Sequence, residues 1–105
     1  MRRALQGILI ATEEMRDATL NGAKTITIRE GHRDYTPGPV LLGCHLLNWA
    51  ATRTITDVRH TTLQEVTEEE CQADGCTNWR DLLHMLKRFY TELVATSDVT
   101  IIRWE

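Results

Sequence analysis

The chain has no long apolar run, no excess of basic charge, no paired metal-ligand spacing, and no internal repeat or linker. Each absence excludes something. A helix needs roughly 20 consecutive apolar residues to span a bilayer, and no stretch approaches that length. The run Ile8-Leu9-Ile10-Ala11 is too short for a signal-peptide core, and no small-residue cleavage site follows it. A cytoplasmic protein without a membrane partner is the expectation. Twelve basic residues face 15 acidic ones, for a net charge of −3. The basic residues are scattered, as Arg2–Arg3, Arg29–Arg33, Arg53–Arg59 and Arg80–Arg88. A nucleic-acid track needs a coherent basic face, so RNA is a possible partner that charge does not favour. The three cysteines, Cys44, Cys71 and Cys76, come without a CxxC or HxxxH pair. Structural zinc uses tighter paired spacings, so free thiols, no metal and no cofactor are expected. His32, His45, His60 and His84 share no spacing and read as surface or half-buried polar residues.

What is present suits a single domain over residues 1–105, with 42% hydrophobic residues to build its core. From about Leu5 to Ile10 the chain reads as a first strand. Thr12 follows as a helix N-cap, with Glu13 and Glu14 where negative charge favours the helix dipole. Met15, Ala18 and Leu20 give that helix an apolar face, and Asn21-Gly22 should end it. "KTITIR" alternates like a strand. The loop "EGHRDYTPG" separates it from "GPVLLGCHLLNW", which reads as one buried strand with a bulge near Gly43. "ATRTITDVRH" reads as a strand with one wet face. Thr67 and Glu70 form a capping-box pattern for a short helix that Asp74-Gly75 closes. A second helix begins near Asn78 and carries Leu82, Leu83, Leu86, Phe89 and Tyr90 at helical spacing. "DVTIIRW" is the last strand. Consecutive strands with grouped helices predict an α+β fold, or a small barrel with helices at its ends.

The strand "KTITIR" admits a plain reading and a chemical one. In the plain one, Thr25 and Thr27 line a wet sheet face, Lys24 is a solvated charge, and Arg29 pairs with Glu30 or Asp34. In the chemical one, the strand bears functional groups. A regular strand places Thr25, Thr27 and Arg29 on one face and Lys24 with Ile26 and Ile28 on the other. For Lys24 to work beside Thr27, it must sit ahead of the regular strand or the strand must twist.

"KTITIR" behind a helix-ending glycine, the Gly/Pro loop, "GPVLLG" and the later "TEEECQADG" together resemble the ASCH domain, a PUA-like fold, over nearly the whole chain. Within that superfamily the pattern is most similar to the small bacterial N4-acetylcytidine amidohydrolases. The resemblance implies a PUA-like small β-barrel (ASCH fold) of six strands or fewer, with flanking helices and a cleft between them. It implies an amidohydrolase that removes the acyl group from N4-acetylcytidine and related N4-acylated cytosine nucleosides. It also implies a lysine base at Lys24, a threonine nucleophile at Thr27 and a carboxylic proton donor. The position that matches the family's glutamate is Asp74, one methylene shorter; Glu70 or Glu69 is the alternative. Such chemistry needs a neutral amine to activate the hydroxyl, and burial or a neighbouring cation, for which Arg29 is the candidate, would favour one. A pyrimidine nucleoside would be held by stacking and edge hydrogen bonds, which makes Arg29, Tyr35 and Trp49 candidate substrate-binding residues. Trp79 is a further aromatic option, while Phe89, Tyr90 and Trp104 have core spacing. ASCH and PUA-like domains also resemble RNA-recognition modules, so an RNA-binding module or ribonuclease is the alternative reading. The oligomeric state has no sequence signature.

Overall fold

The computed structural model describes residues 6–10, 12–44 and 48–105. Leu5, Arg2–Arg3 and His45, named above, lie outside the described residues. The elements run β1 (Gln6–Leu9), α1 (Glu13–Leu20), β2 (Ile26–Glu30), β3 (Gly38–Cys44), β4 (Trp49–Thr62), a single 3₁₀ turn (Leu63–Glu65), α2 (Glu68–Ala73), α3 (Trp79–Leu86) and β5 (Asp98–Trp104). The strands form one five-stranded sheet in the order β1-β3-β4-β5-β2. The β1–β3 pair is parallel and the other pairs are antiparallel. The result is an α+β domain built on a curled, mixed half-barrel sheet.

The helix boundaries follow local chemistry. Thr12 accepts a hydrogen bond from the Met15 amide, and α1 stops before Gly22, whose φ of 85° favours a residue without a Cβ. The Thr67–Glu70 capping box forms in full at α2. At α3, Asn78 caps the amides of Arg80 and Asp81. The helix ends at Leu86, earlier than the apolar spacing suggested. Phe89 and Tyr90 therefore sit on the turns beyond it. Phe89 is 44% exposed, which corrects its reading as a core residue, whereas Tyr90 is half-buried and packs against the core cluster that holds Leu82 and Leu86.

Two further expectations change. "GPVLLGCHLLNW" is not one strand: Cys44 ends β3 and Trp49 opens β4, which returns alongside it with Cys44 opposite Trp49. The register of that pair is unbroken through Gly43, so the expected bulge there is absent. Gly43 has another role. A Cβ built on it would lie 2.6 Å from the Trp49 carbonyl oxygen and 3.3 Å from the Ala50 Cα. The irregularity sits instead between Ile55 and Asp57, where β4 shifts register against β5. An extra residue flips side-chain parity. That flip explains how Ile55 and Val58, three positions apart, both pack into one core cluster.

The sheet buries residues on both faces. Ile26, Ile28, Val99 and Ile101 pack with Leu63, Leu82 and Leu86 on the helical side. Ile8, Val40, Leu42, Ile55, Ile102 and Trp104 form the core on the other side. β1 and β2 are the sheet's two edges, and both border the site described next.

Replacing Gly43 by alanine forces backbone to move, because the obstructing atom is a carbonyl oxygen. The Gly43→Ala protein is expected to lose about 1–3 kcal/mol in urea unfolding. An unchanged midpoint would show that β3 and β4 do not approach as closely as described.

Candidate active site

Lys24 stands two residues ahead of β2, between the end of α1 and the regular strand. Its backbone amide is held by the Ala18 carbonyl of α1 at 2.9 Å. Its side chain therefore escapes strand alternation. Nζ donates to the Ile26 carbonyl at 2.6 Å and to Asp74 Oδ1 at 2.5 Å. The pair is enclosed, with 10% and 4% of the respective side chains exposed. Lys24 also lies 6.0 Å from the centre of the Trp104 ring.

Asp74 comes from a different part of the chain. It is the C-cap of α2, where its amide bonds to the carbonyls of Glu70 and Cys71. Gly75, at φ 88°, then turns the chain away. Burial pushes the Asp74 carboxyl above its ordinary value, against the opposing pull of Lys24 and, more weakly, Arg29.

Lys24, Thr27, Arg29 and Asp74 line one cavity of about 190 Å³. Thr27 is only 5% exposed, and β2 buries three consecutive residues, Ile26, Thr27 and Ile28. The wet-face reading of this strand is thereby corrected at Lys24 and Thr27. Arg29 forms no ion pair with Glu30 or Asp34; its Nη2 donates to the Leu9 carbonyl at 2.5 Å, across to the other sheet edge. Leu9, Ile28, Leu86 and Phe89 supply much of the apolar wall.

The Lys24–Asp74 pair also borders a second cavity of about 340 Å³, which Glu14, Ala18, Cys76 and Arg88 help to line. Burial pushes the Cys76 thiol up to about 11. It is therefore protonated at neutral pH and a poor nucleophile. Cys71, also buried, is raised in the same direction, and all three cysteines are free.

The remaining sequence candidates lie elsewhere. Glu70 is occupied: it accepts two hydrogen bonds from Arg59, at 3.0 and 2.5 Å, and one from the Thr67 amide at 2.9 Å. Burial alone would raise its carboxyl, but these partners together hold it below its ordinary value. Tyr35 donates its hydroxyl to the Gly7 carbonyl at 2.8 Å and packs against the second core cluster. Trp49 lines a shallow cavity beside Leu41 and Gly43. Neither aromatic lines the cavity that holds Lys24. Phe89 and Tyr90 do, a role their helical spacing concealed. Glu69 is exposed on α2, where its nearest basic partner is Arg103 at 3.9 Å. Among the described residues, no group of three or more His, Cys, Asp or Glu could hold a metal ion, and no helix is long and apolar enough to cross a membrane.

No family model matches the chain, and searches of the curated proteins and of the solved structures find no match to it.

Glu70 and Asp74 lie one helical turn apart, yet their environments move them in opposite directions. For Glu70 the folded value lies below the unfolded one. Its stabilisation is therefore complete above the unfolded value and is lost as pH falls through the folded one. The Glu70→Gln protein, which keeps a capping acceptor, should be less stable than the original at pH 7. The gap should close on acidification below the ordinary carboxylate range. Thermal unfolding of both proteins from pH 7 to pH 2 measures this; a gap of constant size would sink the assignment.

Proposed function

We propose that the chain is an amidohydrolase acting on N4-acylated cytosine nucleosides such as N4-acetylcytidine, on an ASCH-type, PUA-like fold. The observation that carries this reading is convergence. An amine, a hydroxyl and a carboxyl from Lys24, Thr27 and Asp74, the last 50 positions from the first, line one largely apolar cavity. These are the groups that acyl transfer from nitrogen requires: a nucleophile, a base and an acid. Lys24 and Thr27 are also positions at which the sequence resembles that amidohydrolase family, and Asp74 stands where the family has a glutamate.

The enclosed pair suggests how a lysine can act as the base. Burial disfavours both charges of an ion pair. Moving a single proton from Lys24 Nζ to Asp74 Oδ1 removes both charges at once and creates a neutral amine and a carboxylic acid. In the proposed reaction, Thr27 Oγ attacks the acyl carbonyl carbon while Lys24 Nζ accepts its proton. The bond from the carbonyl carbon to N4 breaks, and Asp74 gives its proton to the departing nitrogen. An ester on Thr27 remains. Water, activated in turn by the pair, cleaves it to the carboxylate and restores the hydroxyl. Arg29, two positions from Thr27 on the same strand face, lines the same cavity and supplies positive charge that would favour the developing oxyanion.

Incubation of the purified protein with N4-acetylcytidine, followed by chromatography, should show cytidine and acetate. Lys24→Ala, Thr27→Ala and Asp74→Asn should each lower turnover by about 10²–10⁴-fold while circular dichroism stays unchanged. Full activity in the Thr27→Ala protein would end the proposal.

The pH profile supplies a separate check. The working form of the pair holds one proton. A second proton, taken up by the Asp74 carboxylate, fixes Lys24 as an ammonium and removes the base. Because burial raises the Asp74 carboxyl, turnover should fall on acidification at a pH above the ordinary carboxylate range. The residual activity of Asp74→Asn should lack that acid limb. If the limb persists unchanged, Asp74 does not belong to the titrating pair.

A further inference from the structure

Among the described residues, three charged side chains line the proposed active cavity: Lys24, Arg29 and Asp74. Lys24 and Asp74 satisfy one another, which leaves Arg29 as the surplus cation. Its Nη2 is anchored to the Leu9 carbonyl. Its Nε is shielded from solvent and has no hydrogen-bond partner among the described residues. No described carboxylate lies within ion-pair distance of its guanidinium. A shielded donor left unpaired on a cation is costly. An anion in the cavity would give the guanidinium the charge partner it lacks, and a guanidinium fork matches a carboxylate or a phosphate. The surroundings restrict that anion further. Leu9, Ile28, Leu86 and Phe89 offer an apolar wall beside the fork, and Phe89 is largely open to solvent at 44% exposure.

We propose that Arg29 and this apolar wall form a receptor for a small carboxylate with an apolar tail. The head lies on the guanidinium and the tail lies against Phe89 and Leu86. The identity of the ligand as the acid released in turnover rests on the amidohydrolase reading; the binding site itself does not. Arg29 then does two jobs at one place, since the acid leaves from beside Thr27. Acids with larger apolar tails bind more tightly and act as stronger product inhibitors than acetate.

Calorimetric titration of the full chain with benzoate, acetate and the uncharged benzamide tests the site without any turnover. Benzoate should bind about tenfold or more tightly than benzamide, as a charge-assisted fork contact requires, and more tightly than acetate. Arg29→Gln should erase the preference for benzoate over benzamide. Because Arg29 also ties β2 to Leu9, Arg29→Lys is the second variant: it keeps the charge without the fork and should lose most of the preference. Phe89→Ala, at an exposed position, should shrink the gap between benzoate and acetate. Equal binding of benzoate and benzamide overturns the proposal. So does benzoate binding that survives Arg29→Gln and disappears in Lys24→Gln, which would put the anion on the other cation. Absence of turnover with carboxylate binding intact would defeat only the amidohydrolase reading; turnover without carboxylate binding would defeat only this one.

Discussion

An amine and a carboxyl held 2.5 Å apart beneath the surface, from segments 50 positions apart, set the terms for the rest of the site. Each group lowers the cost of burying the other. A buried lysine without its carboxylate, or the reverse, leaves an uncompensated charge that costs far more than the pair itself contributes. The start of β2 and the end of α2 are thereby coupled, and the intervening β3 and β4 must fold so that they meet. The Ala18–Lys24 backbone bond adds α1 to the same junction. Three elements converge on one lysine, and the cavity is the space they leave.

The sheet explains why that space lies where it does. Its strand order puts β1 and β2 at opposite edges, and the curl of the half-barrel brings those edges near one another. Arg29 reaches from one edge to the Leu9 carbonyl of the other. An edge strand has a free flank, so residues from both of its faces can border the same hollow. Thr27 and Arg29 do so from one face and Ile28 from the other. A central strand could not offer such a mixture, because its flanks are filled by neighbours.

Features that depend on neighbours in sequence were legible before the structure. Thr12, Thr67 with Glu70, and Asn78 cap helices as their side-chain chemistry predicts. "DVTIIRW" forms β5 with its alternation intact, Val99 and Ile101 in one core cluster and Ile102 and Trp104 in the other. The placement of Lys24 ahead of the regular strand, a stated condition for it to work beside Thr27, is met because β2 begins at Ile26. Features set by distant neighbours were hidden. No local pattern says that Gly43 must admit the Trp49 carbonyl or that β4 shifts register after Ile55. Nor does helical spacing reveal that α3 stops at Leu86 and hands Phe89 and Tyr90 to the cavity. Tyr35 and Trp49 were attractive as aromatics near the motif in sequence, but the fold directs one to the Gly7 carbonyl and the other to the β3–β4 side.

The Lys24–Asp74 pair is also a partition. One side faces the apolar hollow with Thr27; the other faces the larger cavity beside Glu14 and Arg88, both exposed side chains. An occupant that fills the first hollow leaves the second open. The same two side chains thus border two hollows, of about 190 and 340 Å³, and a substitution at either one alters the walls of both.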